Sequence, residues 1–245
     1  MLTGRLVLYR LAPKSLPVGR ERTGCGGRGT IPAMSESHTA HDVLALGVLI
    51  SGGGTTLENL INRIADGRLR GVQIRQVVSS RGAVRGVEIA RCAGLPLEIV
   101  RKKDHSDKRA FSAAIVAALE RAGVELIVMG GFLCYWHIPN RYQGRVLNIH
   151  PALLPAFGGQ EMYGLRVHEA VLASGATESG CTVHVADDQY DHGPIVAQRR
   201  VPVRPDDTPE SLAARVGAAE RELYPHVIQQ VADHGLGWLQ EQVRA

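Results

Sequence analysis

The chain has 245 residues, of which 44% are apolar and 21% are charged, ordinary values for a soluble globular protein. Its length fits one large domain or two small ones. Aromatic residues make up only 4%, which argues against a nucleic-acid surface built on stacked aromatic side chains. No apolar run approaches the roughly 20 residues of a membrane helix. We therefore expect neither nucleic acid nor a membrane as a partner.

The net charge of +4 comes from the N-terminal segment. Residues 1–33 carry six basic side chains against one acidic side chain, a charge of +5, so residues 34–245 carry 4 − 5 = −1. Residues 1–40 are rich in Gly, Pro and Arg and show no sustained apolar periodicity. They are either a transit peptide or an extension that is disordered or wrongly included upstream of Met34, and we favour the second. Residues 41–245 are expected to form a single catalytic domain.

The cysteines are far apart in the chain and form no C-x-x-C pair. This spacing favours free thiols in a reducing compartment, such as the cytoplasm, over a disulfide framework or a zinc site. The four residues are Cys25, Cys92, Cys134 and Cys181.

A glycine-rich loop follows the first apolar run of the expected catalytic domain. Residues 44–50 are apolar, residues 51–56 read Ser-Gly-Gly-Gly-Thr-Thr, and a helical pattern follows. This order of strand, loop and helix exposes N–H groups that can bind an anion. Leu57 stands where the dinucleotide fingerprint needs a third glycine, and the Gly-Lys of the ATPase loop is missing. A phosphate monoester remains as the ligand, and a tight turn without a ligand is the alternative.

Strands and helices alternate along the rest of the chain. After the first strand, further strands are predicted near residues 74–79, 96–100, 124–129 and 146–150, and helices near 84–92 and 110–119. The C-terminal part reads as a helix near 165–173, two strands near 181–186 and 195–203, and a helix over 209–232. The pattern predicts an α/β fold with a doubly wound, mostly parallel sheet, a C-terminal antiparallel strand pair and a long terminal helix.

Two polar side chains follow each other on the strand at residues 146–150. Side chains alternate on a strand, so Asn148 and His150 face the same side, about 7 Å apart. Ligands bind at the carboxyl ends of the strands in such sheets. An amide there can stabilise an oxyanion and an imidazole can move a proton. For this pattern taken alone we favour the other interpretation, a polar strand end whose histidine caps a neighbouring carbonyl.

The segment of residues 187–194 contains three aspartates and one histidine. Such a loop is a metal site, an acid–base site, or a solvated surface loop, and its composition alone favours the last. The residues are Asp187, Asp188, Asp191 and His192.

Four segments taken together resemble the folate-dependent formyltransferases, and within them the branch that formylates glycinamide ribonucleotide. They are Leu-Ile-Ser-Gly-Gly-Gly-Thr-Thr-Leu at 49–57, Asn-Ile-His-Pro-Ala-Leu-Leu-Pro at 148–155, Gly-Cys-Thr-Val-His at 180–184 and Asp-His-Gly-Pro at 191–194. The resemblance covers roughly residues 44–235. It implies a formyltransferase-type Rossmann-like domain that transfers a formyl group from 10-formyltetrahydrofolate to a primary amine in purine synthesis. It implies no metal.

The resemblance also implies roles for single residues. The catalytic residues would be Asn148, His150 and Asp191, with Asp191 raising the pKa of His150 by its charge. The nucleotide phosphate and ribose would contact Gly54, Thr55, Thr56 and Glu220. The folate would contact Lys108, Leu133, Cys134, Tyr135, Trp136 and Asn148, and the 186–191 loop would complete its pocket.

The chain departs from the family pattern at three places. Thr56 stands where the family usually has Asn. Residues 133–136 read Leu-Cys-Tyr-Trp where Met-Arg-Ile-Leu is commoner, which removes a positive charge and adds bulk. Residues 157–163 form an unusual loop.

Other functions remain to be compared with this one. A formyltetrahydrofolate hydrolase uses a similar catalytic trio but usually carries an N-terminal regulatory domain, and a methionyl-tRNA formyltransferase would need a C-terminal RNA-binding domain. A nicotinamide-dependent oxidoreductase, with Arg81 at a 2′-phosphate, lacks the third glycine. A binding module without activity is the last option. We expect small-molecule substrates and a monomer or homodimer.

Overall fold

A computed structural model describes residues 43–242. The predicted extension over residues 1–40 and the thiol of Cys25 lie outside these residues. Within the described part of the chain, Cys92, Cys134 and Cys181 are free thiols. No helix of residues 43–242 is long and apolar enough to cross a membrane.

Seven strands form one sheet in the order β3-β2-β1-β4-β5-β6-β7. Neighbouring strands from β1 to β5 are parallel, and β6 and β7 extend the same sheet antiparallel. The predicted fold class is therefore confirmed. The strands are β1 (Leu44–Ile50), β2 (Val72–Ser79), β3 (Leu97–Ile99), β4 (Leu126–Met129), β5 (Val146–His150), β6 (Glu178–Val185) and β7 (Ile195–Pro202).

Six α-helices cover the two faces of this sheet. They are α1 (Thr55–Ala65), α2 (Arg85–Cys92), α3 (Lys108–Arg121), α4 (Leu165–Ala173), α5 (Pro209–His234) and α6 (Leu236–Gln242). Every residue of β1 is buried, as expected for a strand with helices on both sides. Its side chains alternate between two cores, so Val48 packs toward α1 and α5 while Leu49 packs toward α3.

Several elements differ from their predicted ranges by up to three residues at an end; β6, for example, begins at Glu178 instead of Cys181. Strand β4 begins at Leu126 instead of Val124, because the N–H of Val124 donates to Leu119 O and closes the end of α3. Helix α5 continues to His234, two residues beyond its predicted end. The short helix α6 follows after Gly235 and was not predicted from the sequence.

Helix α5 begins at a well-formed cap. The Thr208 side chain accepts from the N–H of Ser211, the Ser211 side chain accepts in return, and Pro209 occupies the first turn. One turn further, Arg215 forms two hydrogen bonds of 2.6 and 2.7 Å with Asp207, which fix the entry of the helix.

Tyr224 connects α5 to two strands at the carboxyl end of the sheet. Its hydroxyl lies 2.8 Å from Leu147 O on β5 and 3.2 Å from Met129 O on β4, and its side chain is buried. The single hydrogen of the hydroxyl is shared between these two carbonyls and so links β4 to β5.

We predict that Tyr224→Phe lowers the free energy of unfolding by about 1–3 kcal/mol, because two buried carbonyls lose a donor. Urea denaturation measures the change. Tyr142→Phe is the matched control, since that buried hydroxyl has a single acceptor, Val124 O, at 3.3 Å. Equal stability of Tyr224→Phe and wild type would contradict the assigned contact.

Candidate active site

A cleft of about 650 Å³ opens at the carboxyl ends of the central strands. The glycine loop after β1 and residue Glu220 of α5 line one part of it, and residues 133–136 after β4 line another. Asn148 and His150 of β5 also line it, together with the loop that carries Asp191. These segments, which are far apart in the chain, therefore meet at one edge of the sheet.

The glycine loop leads directly into the N-terminus of α1. Gly54 is the N-cap residue in the left-handed region, at φ 71°, and no side chain within residues 43–242 caps the helix. A Cβ on Gly54 would lie 2.5 Å from Gly86 Cα, so α2 approaches the loop too closely for any side chain. The N–H groups of Thr55 and Thr56 have no partner within a helix at these positions, and they are the groups that can bind an anion.

Ser51 joins the glycine loop to the loop after β4. Its hydroxyl lies 2.7 Å from Ser80 Oγ and accepts from Leu133 N at 2.9 Å, and its own N–H donates to Gly131 O at 3.2 Å. The side chain is fully buried. Three strand ends are thus connected through one residue.

Asn148, His150 and Asp191 meet in the cleft. Asn148 and His150 point to the same side of β5, as their spacing predicted. Asn148 Nδ2 lies 3.3 Å from Asp191 Oδ1, and His150 Nδ1 lies 3.3 Å from Asp191 Oδ2. The three side chains are buried or half-buried, so their mutual contacts replace water.

Asp191 reaches this cluster through an unusual backbone conformation. Its φ is 53°, in the left-handed region that Asp tolerates better than most residues. The turn directs the carboxylate inward, where Oδ2 accepts from Gly159 N at 3.0 Å. Gly158 leaves the necessary space, because a Cβ there would lie 3.2 Å from Asp191 Cβ and 2.5 Å from Leu154 Cδ2.

His184 completes the cluster, and the sequence did not predict it as a site residue. It lies opposite Asn148 in the β5–β6 pairing, with its Nε2 3.0 Å from Asn148 Nδ2 and 3.5 Å from Asp191 Oδ1. It is 1% exposed. The available signal was its alternation on β6, where residues 182, 184 and 186 share the face that meets Asn148.

Two opposing effects act on the protonation of His150. Its Nε2 donates to Phe157 O at 2.8 Å and its Nδ1 faces the Asp191 carboxylate, contacts that suit a doubly protonated ring. Burial, aided by His184, outweighs Asp191 and the Phe157 carbonyl and lowers the pKa of His150. The expected effect of Asp191 is therefore present, but burial exceeds it and the ring favours the neutral form.

Asp191 remains the charged partner of the cluster. Burial alone would raise its pKa, but the contacts with His184 and His150 and the N–H of Gly159 together lower it. The site therefore holds a carboxylate, a neutral imidazole and an amide side by side. Such a set can exchange a proton and stabilise a negative oxygen.

The other acidic residues of the 187–194 segment lie outside the cluster. Asp187 Oδ2 pairs with His192 Nδ1 at 2.9 Å, and Asp188 Oδ1 lies 3.3 Å from His137 Nδ1. All four side chains are exposed or nearly so. The segment is thus a surface loop that turns one carboxylate, that of Asp191, into the cleft.

The predicted folate wall contains both exposed and buried side chains. Leu133 is 44% exposed at the cleft, whereas Trp136 is 4% exposed and packs into the core beneath α3. Tyr135 makes an edge contact with Tyr190 at 6.3 Å between ring centres, and both rings line the cleft. Lys108 is not among the cleft-lining residues, but its Nζ lies 5.9 Å from the centre of the Tyr135 ring.

Glu220 contributes a half-buried carboxyl to the cleft. Burial raises its pKa from 4.5 to about 7, and the charge of Arg221 opposes this only in part. No hydrogen bond to its carboxyl is found within residues 43–242. The group can therefore meet a ligand as either a donor or an acceptor near neutral pH.

His168 of α4 is a third buried imidazole at the cleft, after His150 and His184. It is 4% exposed, burial lowers its pKa, and its Nδ1 has no hydrogen-bond partner among the described residues. The sequence did not single it out, because on α4 it occupies an ordinary core-facing position.

Known proteins match this chain over most of the described region. The model of the formyl transferase family matches residues 45–228. The chloroplastic phosphoribosylglycinamide formyltransferase of Arabidopsis thaliana is 37% identical over 201 residues, which cover 81% of this chain and 68% of the relative. The trifunctional purine biosynthetic protein adenosine-3 of Gallus gallus is 39% identical over 187 residues, 76% of this chain but only 18% of that protein.

Solved structures agree with the observed fold. Glycinamide ribonucleotide transformylase 1 from Symbiobacterium toebii superposes with a TM-score of 0.73 at 36% identity, over 78% of this chain and 89% of that one. Phosphoribosylglycinamide formyltransferase from Brucella melitensis gives 0.70 at 38% identity, over 77% and 95% of the two chains.

The chain belongs to the formyl transferase family. Within it, the relatives and structures that name a single reaction are phosphoribosylglycinamide formyltransferases, or the same activity under its transformylase name. The resemblance found in the sequence is confirmed at both levels. The roles of single site residues stay predictions.

Gly54→Ala is predicted to destabilise the protein by about 2–5 kcal/mol, from the left-handed backbone and the contact with Gly86. Gly67→Ala is the matched control, because its φ is 73° but no atom of the described chain lies within 4 Å of an added Cβ. It should cost only about 1–2 kcal/mol. Equal losses in urea denaturation would mean that α2 does not constrain the loop.

The raised pKa of Glu220 predicts a pH-dependent stability. The folded state holds this proton up to about pH 7 while the unfolded state releases it near 4.5, so wild-type stability falls as the pH rises through this window. Glu220→Gln cannot ionise and should gain about 2 kcal/mol relative to wild type between pH 5 and 8. Exposed Glu169→Gln controls for the lost charge. Parallel curves of unfolding free energy for Glu220→Gln and wild type would refute the burial effect.

Proposed function

We propose that this chain transfers a formyl group from 10-formyltetrahydrofolate to the primary amine of glycinamide ribonucleotide in purine synthesis. The proposal rests mainly on the meeting of Asn148, His150 and Asp191 in one cleft, between a glycine loop and an aromatic wall. The printed names of the relatives support the choice of acceptor.

The glycine side of the cleft suits the nucleotide. A phosphate at the N-terminus of α1 would accept from the N–H groups of Thr55 and Thr56 and benefit from the helix dipole. The hydroxyl of Thr56 can add a further donor. Glu220 lies in the same cleft and can hydrogen-bond the ribose hydroxyls.

The opposite side of the cleft suits the folate. Residues 133–136 and the 186–191 loop present apolar and aromatic surface to a flat ring system. Tyr135 and Tyr190 enlarge this surface at the rim. Lys108 beside Tyr135 supplies a positive charge for the carboxylates of the glutamate part of the donor.

The chemistry follows from the protonation states of the cluster. The free amine attacks the formyl carbon, and the formyl oxygen becomes negative. An amide donor such as Asn148 is worth about 3–4 kcal/mol at such an oxygen. The charge also favours protonation of His150, whose contacts already suit the imidazolium. Asp191 accepts the proton of the amine, through a water, and returns it to the leaving nitrogen as the carbon–nitrogen bond breaks.

A formyltetrahydrofolate hydrolase is the competing function, because the same trio could activate water. Such an enzyme needs no anion site on the acceptor side. Among the described residues no side chain caps the helix start at Gly54 and none pairs with the Glu220 carboxyl, which favours a nucleotide acceptor.

We predict that the purified protein releases tetrahydrofolate only when both substrates are present. His150→Ala should lower kcat about 10²–10⁴-fold, the usual size of positioned acid–base help. His226→Ala, an exposed position of α5, should leave kcat unchanged. A coupled absorbance assay measures the rates. Full-speed hydrolysis of the donor without the amine would replace this proposal by the hydrolase.

A further inference from the structure

Both amide hydrogens of Asn148 are engaged by neighbouring side chains of the cleft. Its Nδ2 lies 3.0 Å from His184 Nε2 and 3.3 Å from Asp191 Oδ1. A carboxamide nitrogen carries two hydrogens, and a carboxylate only accepts. The donor that the proposed reaction needs at the formyl oxygen is therefore not free, and one of the two contacts has to be given up.

The geometry of His184 determines which contact is kept. Its Nε2 accepts from Asn148, so its hydrogen is on Nδ1, which faces Val185 O at 3.3 Å. The side chain is 1% exposed on β6 and lies directly opposite Asn148 in the strand pairing. The opposite orientation of the Asn148 amide would bring its oxygen against the Asp191 carboxylate, which electrostatic repulsion disfavours.

We propose that His184 is a positioning residue that keeps one N–H of Asn148 while the other moves from Asp191 to the formyl oxygen. This inference rests on the proposed function. The contact to Asp191 is the longer one and is the one that an incoming oxygen replaces. Only hydrogen bonds are exchanged in this step, and no covalent bond forms or breaks.

The exchange has a second effect, on Asp191. Its Oδ1 loses the Asn148 hydrogen at the moment when the formyl oxygen gains it. Its Oδ2 stays bonded to Gly159 N at 3.0 Å, so the carboxylate keeps its place. The freed Oδ1 becomes the acceptor for the proton of the amine. The oxyanion donor and the proton acceptor therefore become available together.

Loss of His184 should affect the chemical step and leave substrate binding intact. Without its acceptor, Asn148 can turn and keep its remaining bond to Asp191, so its N–H no longer points to the formyl oxygen. An interaction made mainly in the transition state appears in kcat and not in KM.

The test uses His184→Met, which removes the acceptor, and His184→Gln, whose side-chain oxygen can take the place of Nε2. We expect His184→Met to lower kcat about 10–100-fold, a smaller decrease than the complete loss of an oxyanion donor would cause. Gln should recover most of that rate, and KM for both substrates should stay within about twofold. Equal losses for Met and Gln, or a rise in KM that accounts for the loss, would overturn the role.

A double-mutant cycle separates this role from a structural one. If His184 acts through Asn148, His184→Met should cause no further loss of kcat in the Asn148→Ala background. The same fold-loss in both backgrounds would mean that it acts through Asp191 or the fold, and the proposal fails.

The tautomer of His184 gives a readout that does not depend on activity. In ¹⁵N NMR of the wild-type protein without substrates we expect the hydrogen on Nδ1. A hydrogen on Nε2 would refute the proposal even if formyl transfer is observed. Failure of the proposed function is a separate result, seen as wild-type protein that forms no product from both substrates.

Discussion

One carboxylate at the carboxyl end of the sheet holds the whole polar cluster together. The side chain of Asp191 is only 11% exposed. It contacts Asn148, His150, His184 and the N–H of Gly159. A buried carboxylate without partners would be strongly destabilising. The same holds for the buried rings of His150 and His184 and for the Asn148 amide, if they had no hydrogen-bond partner. The left-handed backbone at Asp191 is therefore balanced by four contacts of its side chain.

Most of the fold could be predicted from the sequence because the signals are local. Buried parallel strands such as β1 consist of continuous apolar runs in the sequence. The pair Thr208-Pro209 is typical of a helix start and predicts the first residue of α5. The misses depend on contacts between elements. Strand β3 was predicted but is shorter than expected, because only residues 97–99 pair with residues 77–79 of β2. Helix α6, which was not predicted, packs against α5 after Gly235.

The candidate site was predictable to the extent that its residues share one strand. Alternation alone places Asn148 and His150 on one side of β5, whereas Asp191 entered only through the resemblance, since its inward turn has no local signature. His184 was missed because only the register between β5 and β6, which the sequence does not reveal, shows that it lies opposite Asn148. The low pKa of His150 could not be foreseen either, because burial depends on the assembled cleft.

The hydrogen bonds of Ser51 have a consequence for how two substrates would meet. The same buried hydroxyl contacts the end of β2 and the loop after β4, directly below the glycine turn. The two walls of the cleft therefore share one fixed anchor, and neither can shift without breaking bonds that support the other. Since a displacement of about 1 Å can slow a bond-forming step a hundredfold, the spacing between the reacting groups is set by the framework and not by the ligands.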